Sequence, residues 1–456
     1  MATDPIQHVR DHTHETPLDL DAHEALVRLA MLPPSVDVPY LSLSLDWQPQ
    51  GSDPGREPPP EPRPSERRSG RDDGYREGAS RRPSRQVFER EAAKIVEGHG
   101  PRGAAFDSLT ADIERIGTFL DEELDPAAQG VFIVACSAAG VFEPLALGLP
   151  LPTRLAVGPT PALGALTRLV EDYPSYAVLL ADQHEATLSF ITQATRGQSV
   201  ALASTDYPRK QQQGGWSQRR FQARADERVA AFARGIADEV QRALTETGVA
   251  MLVVAGDEVI TSALDPAFHP TVKERIVATI RLDNRASEQE IVEATQPLVE
   301  RAEREREQAA VEAVRDAVGA GGAGAAGAGS TLTALQAGQV ETLVMVDDFA
   351  APGWADYVLP VYGAGNPPAE HPAGGDPAEL RTVALDEEAI RLALLTGAEV
   401  QIVHTAVPVD PDQGATIPEA GTLPPRSPAA AILDDLGGIG AVLRFTLDEE
   451  QPVASV

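Results

Sequence analysis

The residues with the most chemical potential sit together in residues 209–224, RKQQQGGWSQRRFQAR. Two adjacent glycines, Gly214 and Gly215, leave a backbone free of side chains where it must approach a partner, and they permit dihedrals that other residues avoid. Trp216, Ser217 and Gln218 follow, while Arg209, Lys210, Arg219, Arg220 and Arg224 stand against Asp206 alone. Positive charge around a glycine turn suits a phosphate-rich target, because neutralised phosphates release counterions. The plain alternative is an exposed helix N-terminus with ordinary surface arginines. Cations at that end oppose the helix dipole, which favours acids there, so the cluster carries a small cost that asks for a reason. The Gln218 amide is neutral: it can orient a water or donate to developing negative charge, but it is no general base at neutral pH.

The elements that must hold this tip are legible on both sides. Phe221, Ala225, Val229, Phe232, Ile236, Val240 and Leu244 recur every three or four residues, as one helix face buried against a sheet requires. Before the tip, residues 176–181 and 185–191 (YAVLLADQHEATLSFI) predict two strands joined by a turn at Asp182, Gln183 and His184, with a third strand near residues 200–203. The apolar run 252–256 predicts a strand covered by helices. His184 is placed as a turn residue rather than as an acid or base.

Residues 176–191 followed by GGWSQRRFQARADERV resemble the central domain of the archaeo-eukaryotic peptide-chain release factors and of Pelota. In that family a strand pair leads into a Gly-Gly-Gln loop and then a long helix opening with an aromatic residue and several arginines. Residues 436–445, LGGIGAVLRF, resemble the closing strand of the family's third domain. The chain departs from the triplet: Trp216 directly follows the two glycines, and glutamine comes two positions later at Gln218. A Gly-Gly-Ser-Gln form of the loop is what the ribosome quality-control peptidyl-tRNA hydrolase looks like, bacterial relatives carry tryptophan-containing variants, and the group also includes the Pelota-like hibernation factor Balon. The resemblance implies a ribosome-associated factor that hydrolyses the peptidyl-tRNA ester. Its reactive positions would be Gln218, Gly214 and Gly215, and its contacts to ribosomal or transfer RNA would come from Arg209, Lys210, Trp216, Ser217, Arg219, Arg220 and Arg224. It implies no cofactor and no metal, the ribosome as partner, and an elongation-factor-like GTPase as a possible second one. A non-catalytic ribosome-binding hibernation factor is the alternative. The Asn-Ile-Lys-Ser motif of stop-codon readers is absent, which disfavours codon-specific termination.

The 456 residues carry a net charge of -31, which argues against nonspecific coating of nucleic acid and restricts any RNA contact to a local surface. Lysine occurs only at positions 94, 210 and 273, so the basic residues are overwhelmingly arginine. The lone Cys136, in the apolar run VFIVAC, is expected as a buried small hydrophobe. No apolar run is long enough to span a membrane, and the polar, acidic first residues do not read as a signal peptide. A cytoplasmic location is expected.

The fold class expected is α/β, as three mixed α/β domains: residues 1–170 with a disordered insertion at 48–85, residues 171–285 carrying the glycine loop, and residues 286–456 forming a small α/β sandwich of ribosomal-protein type. Residues 40–47 alternate as a half-buried strand, and Pro144 places residues 141–147 at a sheet edge. His8, His12 and His14 have metal-like spacing but no completing ligands. Ser287 and Glu290 form a capping box opening a helix that runs to residue 318 through Pro297. Residues 319–330, GAGGAGAAGAGS, lack the lysine and serine or threonine of a phosphate loop and are expected as a flexible connector. Residues 352–377 are expected as a Pro/Gly loop, and Asp347 with Asp348 as a solvated strand end rather than a metal site.

Overall fold

The computed structural model of the protein describes residues 20–47, 82–98, 102–192, 195–204, 218–406 and 426–446. Their contacts divide the chain into two compact units, one built on residues 173–305 and the other joining residues 21–172 to residues 306–456. The architecture is mixed α/β throughout. His8, His12, His14 and most of the 48–85 insertion lie outside the described residues.

The second unit opens with helix α1 (Leu20–Ala30) and strand β1 (Tyr40–Asp46), followed by helices α2 (Pro83–Gly98) and α3 (Ala104–Thr118) and strands β2 (Gly130–Cys136), β3 (Val141–Leu147) and β4 (Arg154–Gly158). The sheet order β3-β2-β1-β4 puts the Pro144 strand at an edge, as expected, and β1 in the middle. That position corrects the half-buried expectation for residues 40–47. All but the last residue of β1 are buried, and the alternating serines survive there because each finds a partner. Ser42 Oγ accepts from Ala162 N, and Ser44 Oγ donates to Pro152 O. Cys136 is buried as expected. The insertion ends earlier than expected: residues 83–85 already belong to α2, where the Arg85 guanidinium holds the Asp121 carboxylate. Helix α4 (Gly164–Asp172) closes this segment.

The first unit is a five-stranded sheet of order β7-β6-β5-β8-β9, made from β5 (Tyr176–Ala181), β6 (Glu185–Thr192), β7 (Thr195–Ser204), β8 (Met251–Gly256) and β9 (Ile276–Ile280). Strands β5, β6 and β7 are antiparallel, whereas β8 and β9 run parallel to β5. Helices α5 (Gln218–Thr247), α6 (Glu258–Leu264) and the single turn α7 (Pro270–Lys273) belong to this unit. Parallel pairing needs a long crossover, and α5 supplies the one from the antiparallel ribbon to β8.

Helix α8 (Glu288–Gly319) begins with the expected capping box, Ser287 Oγ and N both bonding Glu290 Oε2, and carries Pro297 inside it. The segment expected as a flexible connector is ordered structure. Residues 324–326 form strand β10, which pairs Ala325 with Ala441, and helix α9 (Gly327–Gln336) begins at once. Gly324 serves close approach rather than flexibility: a Cβ there would lie 2.6 Å from Val318 N. Strand β11 (Val340–Val346) follows, and then a second departure. The expected Pro/Gly loop contains β12 (Pro352–Asp356) and β13 (Val361–Ala364), which with β14 (Arg381–Ala384) form a three-stranded sheet. Helix α10 (Leu385–Leu395), strand β15 (Glu399–Val403), helix α11 (Pro428–Asp435) and strand β16 (Ile439–Leu443) complete a sheet of order β10-β16-β11-β15. One apolar core unites Leu26, Leu163, Leu166, Leu335, Met345, Ile390 and Ile402, so the first and last segments fold as a single body.

Candidate functional site

The expected tip is anchored at two described points. Edge strand β7 ends at Ser204, and helix α5 begins at Gln218, its first residue. Arg209, Lys210, Gly214, Gly215, Trp216 and Ser217 lie outside the described residues. Gln218, Arg219, Arg220 and Arg224 occupy the first two turns of α5, where the backbone alone is described. The structure thus brings the candidate glutamine and three of the arginines onto one helix end.

What holds that end is well defined. Ala233, Ile236, Ala237, Val240 and Leu244 of α5 are buried, with Val229 and Phe232 packed against the same core. They meet Ala177, Leu179 and Ala181 of β5, Leu188 and Phe190 of β6, and Leu252 and Val254 of β8. The helix has 30 residues, about 45 Å at the usual rise. Its C-terminal half is therefore clamped to the sheet while its N-terminus carries the candidate residues. The β5–β6 turn is fixed by Asp182, whose Oδ1 accepts from His184 N and Glu185 N and whose Oδ2 accepts from Asn284. His184 is a turn residue, as its sequence position suggests. Strand β8 ends on Gly256 at φ 153°, where a Cβ would collide with Ala181 O. Only glycine fits that close pairing.

The second unit contains polar structure that the sequence reading missed. Helix α10 opens with three acids, Asp386, Glu387 and Glu388, all buried. Glu387 Oε1 accepts from Arg154 at 2.9 Å and Oε2 from Gly164 N at 2.7 Å, and burial pushes this carboxyl above the usual range. Glu388 is paired with Arg391 of the next turn, and its other oxygen accepts from Tyr357 Oη at 3.2 Å. Burial and the Glu388 charge push the Tyr357 phenol up. The available signal was the LDEE start of an otherwise apolar helix, which reads as a solvated first turn. At the carboxyl end of β15, His404 Nδ1 meets Glu307 Oε1 at 2.7 Å and Nε2 meets Asp172 Oδ1 at 2.9 Å. Those two hydrogen bonds hold the imidazole in its charged form, with the pKa raised to about 10. Asp347 and Asp348 are not a simple solvated pair, since Asp348 binds Arg426, which also holds Asp434. Among the described residues no group of three potential metal ligands converges, and no helix is long and apolar enough to cross a membrane.

Residues 161–300 match the family model of bacterial archaeo-eukaryotic release factor family 10. No curated protein matches the chain. Among solved structures, the archaeal translation termination factor aRF1 is 15% identical over 93% of this chain and 97% of its own, with a TM-score of 0.23. Pelota of Archaeoglobus fulgidus is 15% identical over 72% of this chain and 83% of its own, with a TM-score of 0.26. Dom34 of S. cerevisiae is 11% identical over 70% of this chain and 81% of its own, with a TM-score of 0.35.

Proposed function

We propose, because residues 161–300 match the model of bacterial archaeo-eukaryotic release factor family 10, that the chain is a ribosome-associated translation factor. In this proposal the tip around Gly214, Gly215 and Gln218 enters the A site and promotes hydrolysis of the peptidyl-tRNA ester. The observation that carries it is the family match, whose span includes the tip, both of its anchors and the whole of α5. The supporting physics is that of a stiff stalk: α5 is packed on the sheet along Ala233–Leu244 while its N-terminal turns carry the glutamine and arginines in sequence.

Ester hydrolysis requires a positioned water and donors aimed at the developing oxyanion. The Gln218 amide and the glycine-loop N–H groups would supply donors, each commonly worth about 3 to 4 kcal/mol of transition-state stabilisation. The arginines would neutralise RNA phosphates, and an elongation-factor-like GTPase would deliver the protein. The proposed setting is cytoplasmic and needs no cofactor.

The test is release of labelled peptide from stalled ribosome complexes by the full chain. Gln218→Ala should lower the release rate by about 10²-fold, and alanine at Gly214 and Gly215 should impair entry. An unchanged rate in Gln218→Ala removes the catalytic role. Trp216, in the place of the family glutamine, favours one rival reading: a non-catalytic factor that stacks this ring on ribosomal RNA bases and occupies idle ribosomes. Cosedimentation with vacant ribosomes, with no release from stalled ones, would establish that reading instead.

A further inference from the structure

An open cleft of about 610 Å³ in the second unit, where β11 ends and α10 begins, is lined by the ionisable side chains Arg154, Arg168, Asp347, Asp348 and Asp386. Its volume is in the range of ordinary small-ligand sites, about 300–1,000 Å³. Asp386, in the first turn of α10, is only 7% exposed and makes no hydrogen bond or ion pair among the described residues. Asp347, directly after β11, has its Oδ1 enclosed without a partner. An oxygen enclosed like Asp347 Oδ1 costs free energy unless a donor reaches it. The cleft is where such a donor can enter.

The other charges on the walls are mostly spent. Asp348 is held by Arg426, and Arg154 by Glu387. Arg168 of α4 is half-buried with no hydrogen bond or ion pair among the described residues. The unmet set is therefore two carboxylates and one guanidinium, a net of one negative charge. Phe349, partly buried against the core, adds an aromatic wall.

We propose that this cleft is a docking site for an arginine side chain carried on a basic segment of a partner protein. A guanidinium presents five donors in a planar fork, enough to serve Asp347 and Asp386 together while its face lies against the Phe349 ring. A nucleic-acid strand fails on charge, since its phosphates would meet an unmet set that is net negative through Asp347 and Asp386. A divalent cation fails on ligand geometry, because no three potential metal ligands converge among the described residues.

The experiment is fluorescence anisotropy of a labelled arginine-rich peptide titrated with the full chain at about 0.15 M salt, where long-range attraction is screened. Asp386→Asn and Asp347→Asn, which keep the side-chain shape, should each weaken binding by about tenfold. Arg168→Gln, which removes the opposing charge, should tighten it several-fold. Glu246→Gln, an exposed acid at the end of α5, should leave it unchanged. Thermal melts establish that each variant is folded. If Asp386→Asn fails to fold, Asp347→Asn and Arg168→Gln together carry the test through their opposite signs. The proposal is overturned if the folded aspartate variants bind like the parent, or if Glu246→Gln weakens binding as much as they do. Displacement of the peptide by Mg²⁺ at constant ionic strength would also overturn it.

Discussion

Helices α5 and α10 are both buried by opposite means, α5 along one apolar face and α10 on every side from Leu385 to Ala393. Helix α5 presents Ala233, Ile236, Ala237, Val240 and Leu244 to its sheet, an apolar stripe that needs only a complementary apolar surface. The first turn of α10 buries Asp386, Glu387 and Glu388, and two of those acids are met by groups more than 200 positions earlier in the chain. A stripe of the first kind is self-announcing, because burying it is favourable almost regardless of partner. Buried charge is tolerable only when each oxygen is matched, so it records a tertiary arrangement rather than a local preference.

The widest gap between the two should appear on removing one member of a matched pair. Glu388→Ala would leave the Arg391 guanidinium, whose side chain is 4% exposed, without its carboxylate. An uncompensated buried charge of this kind costs about 3–5 kcal/mol. Replacing both members by Leu and Met, which removes the charge altogether, should cost far less, and urea denaturation of the single and double variants measures the difference. Equal losses in the two would mean that volume, not charge, dominates at this position. On the apolar side, Leu244→Ala should cost about 2–5 kcal/mol, graded by the cavity it leaves. No second substitution of opposite charge should rescue it.

The same contrast decides what could be read from the sequence. The seven-residue stripe from Phe221 to Leu244 predicts α5, and the structure places Ile236, Val240 and Leu244 in the core. The 176–191 strand pair and the Ser287 capping box were equally local, and both are found. What failed was each segment whose composition suggested one state and whose neighbours imposed another. Residues 324–326 look like linker, yet they add a strand beside β16 because small residues fit against the end of α8. Residues 352–356 and 361–364 look like loop, but β12 is paired on both sides, and the Trp354 ring occupies the space that a side chain on Gly363 would need. The candidate tip rests on residue type and spacing, and residues 205–217 lie outside the described residues. The acids of α10 were not legible, because Arg154 and Gly164 carry no mark of their destination.

Titration separates the regions next. His404 has a folded-state pKa raised to about 10 by its bonds to Asp172 and Glu307. A group raised in the folded state stabilises fully below its unfolded value, about 6.5 for histidine, and that contribution is lost as pH rises through the folded value. Unit stability measured by urea unfolding should therefore decline between about pH 7 and pH 10, and His404→Gln should flatten that part of the curve. Glu387, raised by burial, follows the same sign at lower pH: its contribution is present while it keeps its proton and is lost as pH rises through its folded value. Glu387→Gln should remove that slope while retaining acceptance from Gly164 N. A variant curve parallel to the parent in either window would show that the group titrates alike in the folded and unfolded chain.

The smallest effect expected comes from a carboxylate at a surface, and it isolates exposure as the variable. Asp257 follows Gly256 at the end of β8 and caps α6, its Oδ1 accepting from Val259 N at 2.8 Å and Ile260 N at 3.0 Å. Helix α6 is short, and through Ile260 and Leu264 it lies on the same core as α5. Losing the cap should cost about 1 kcal/mol in Asp257→Ala, and Asp257→Asn should recover most of it, because asparagine caps about as well. Urea unfolding of the parent and both variants measures these steps. The carboxylate of Asp257 and that of Glu388 accept hydrogen bonds alike, and only Glu388 leaves a buried charge behind when removed. If Asp257→Ala matched Glu388→Ala in cost, desolvation would not be what distinguishes the two regions, and the division between self-announcing and partner-dependent burial would fail.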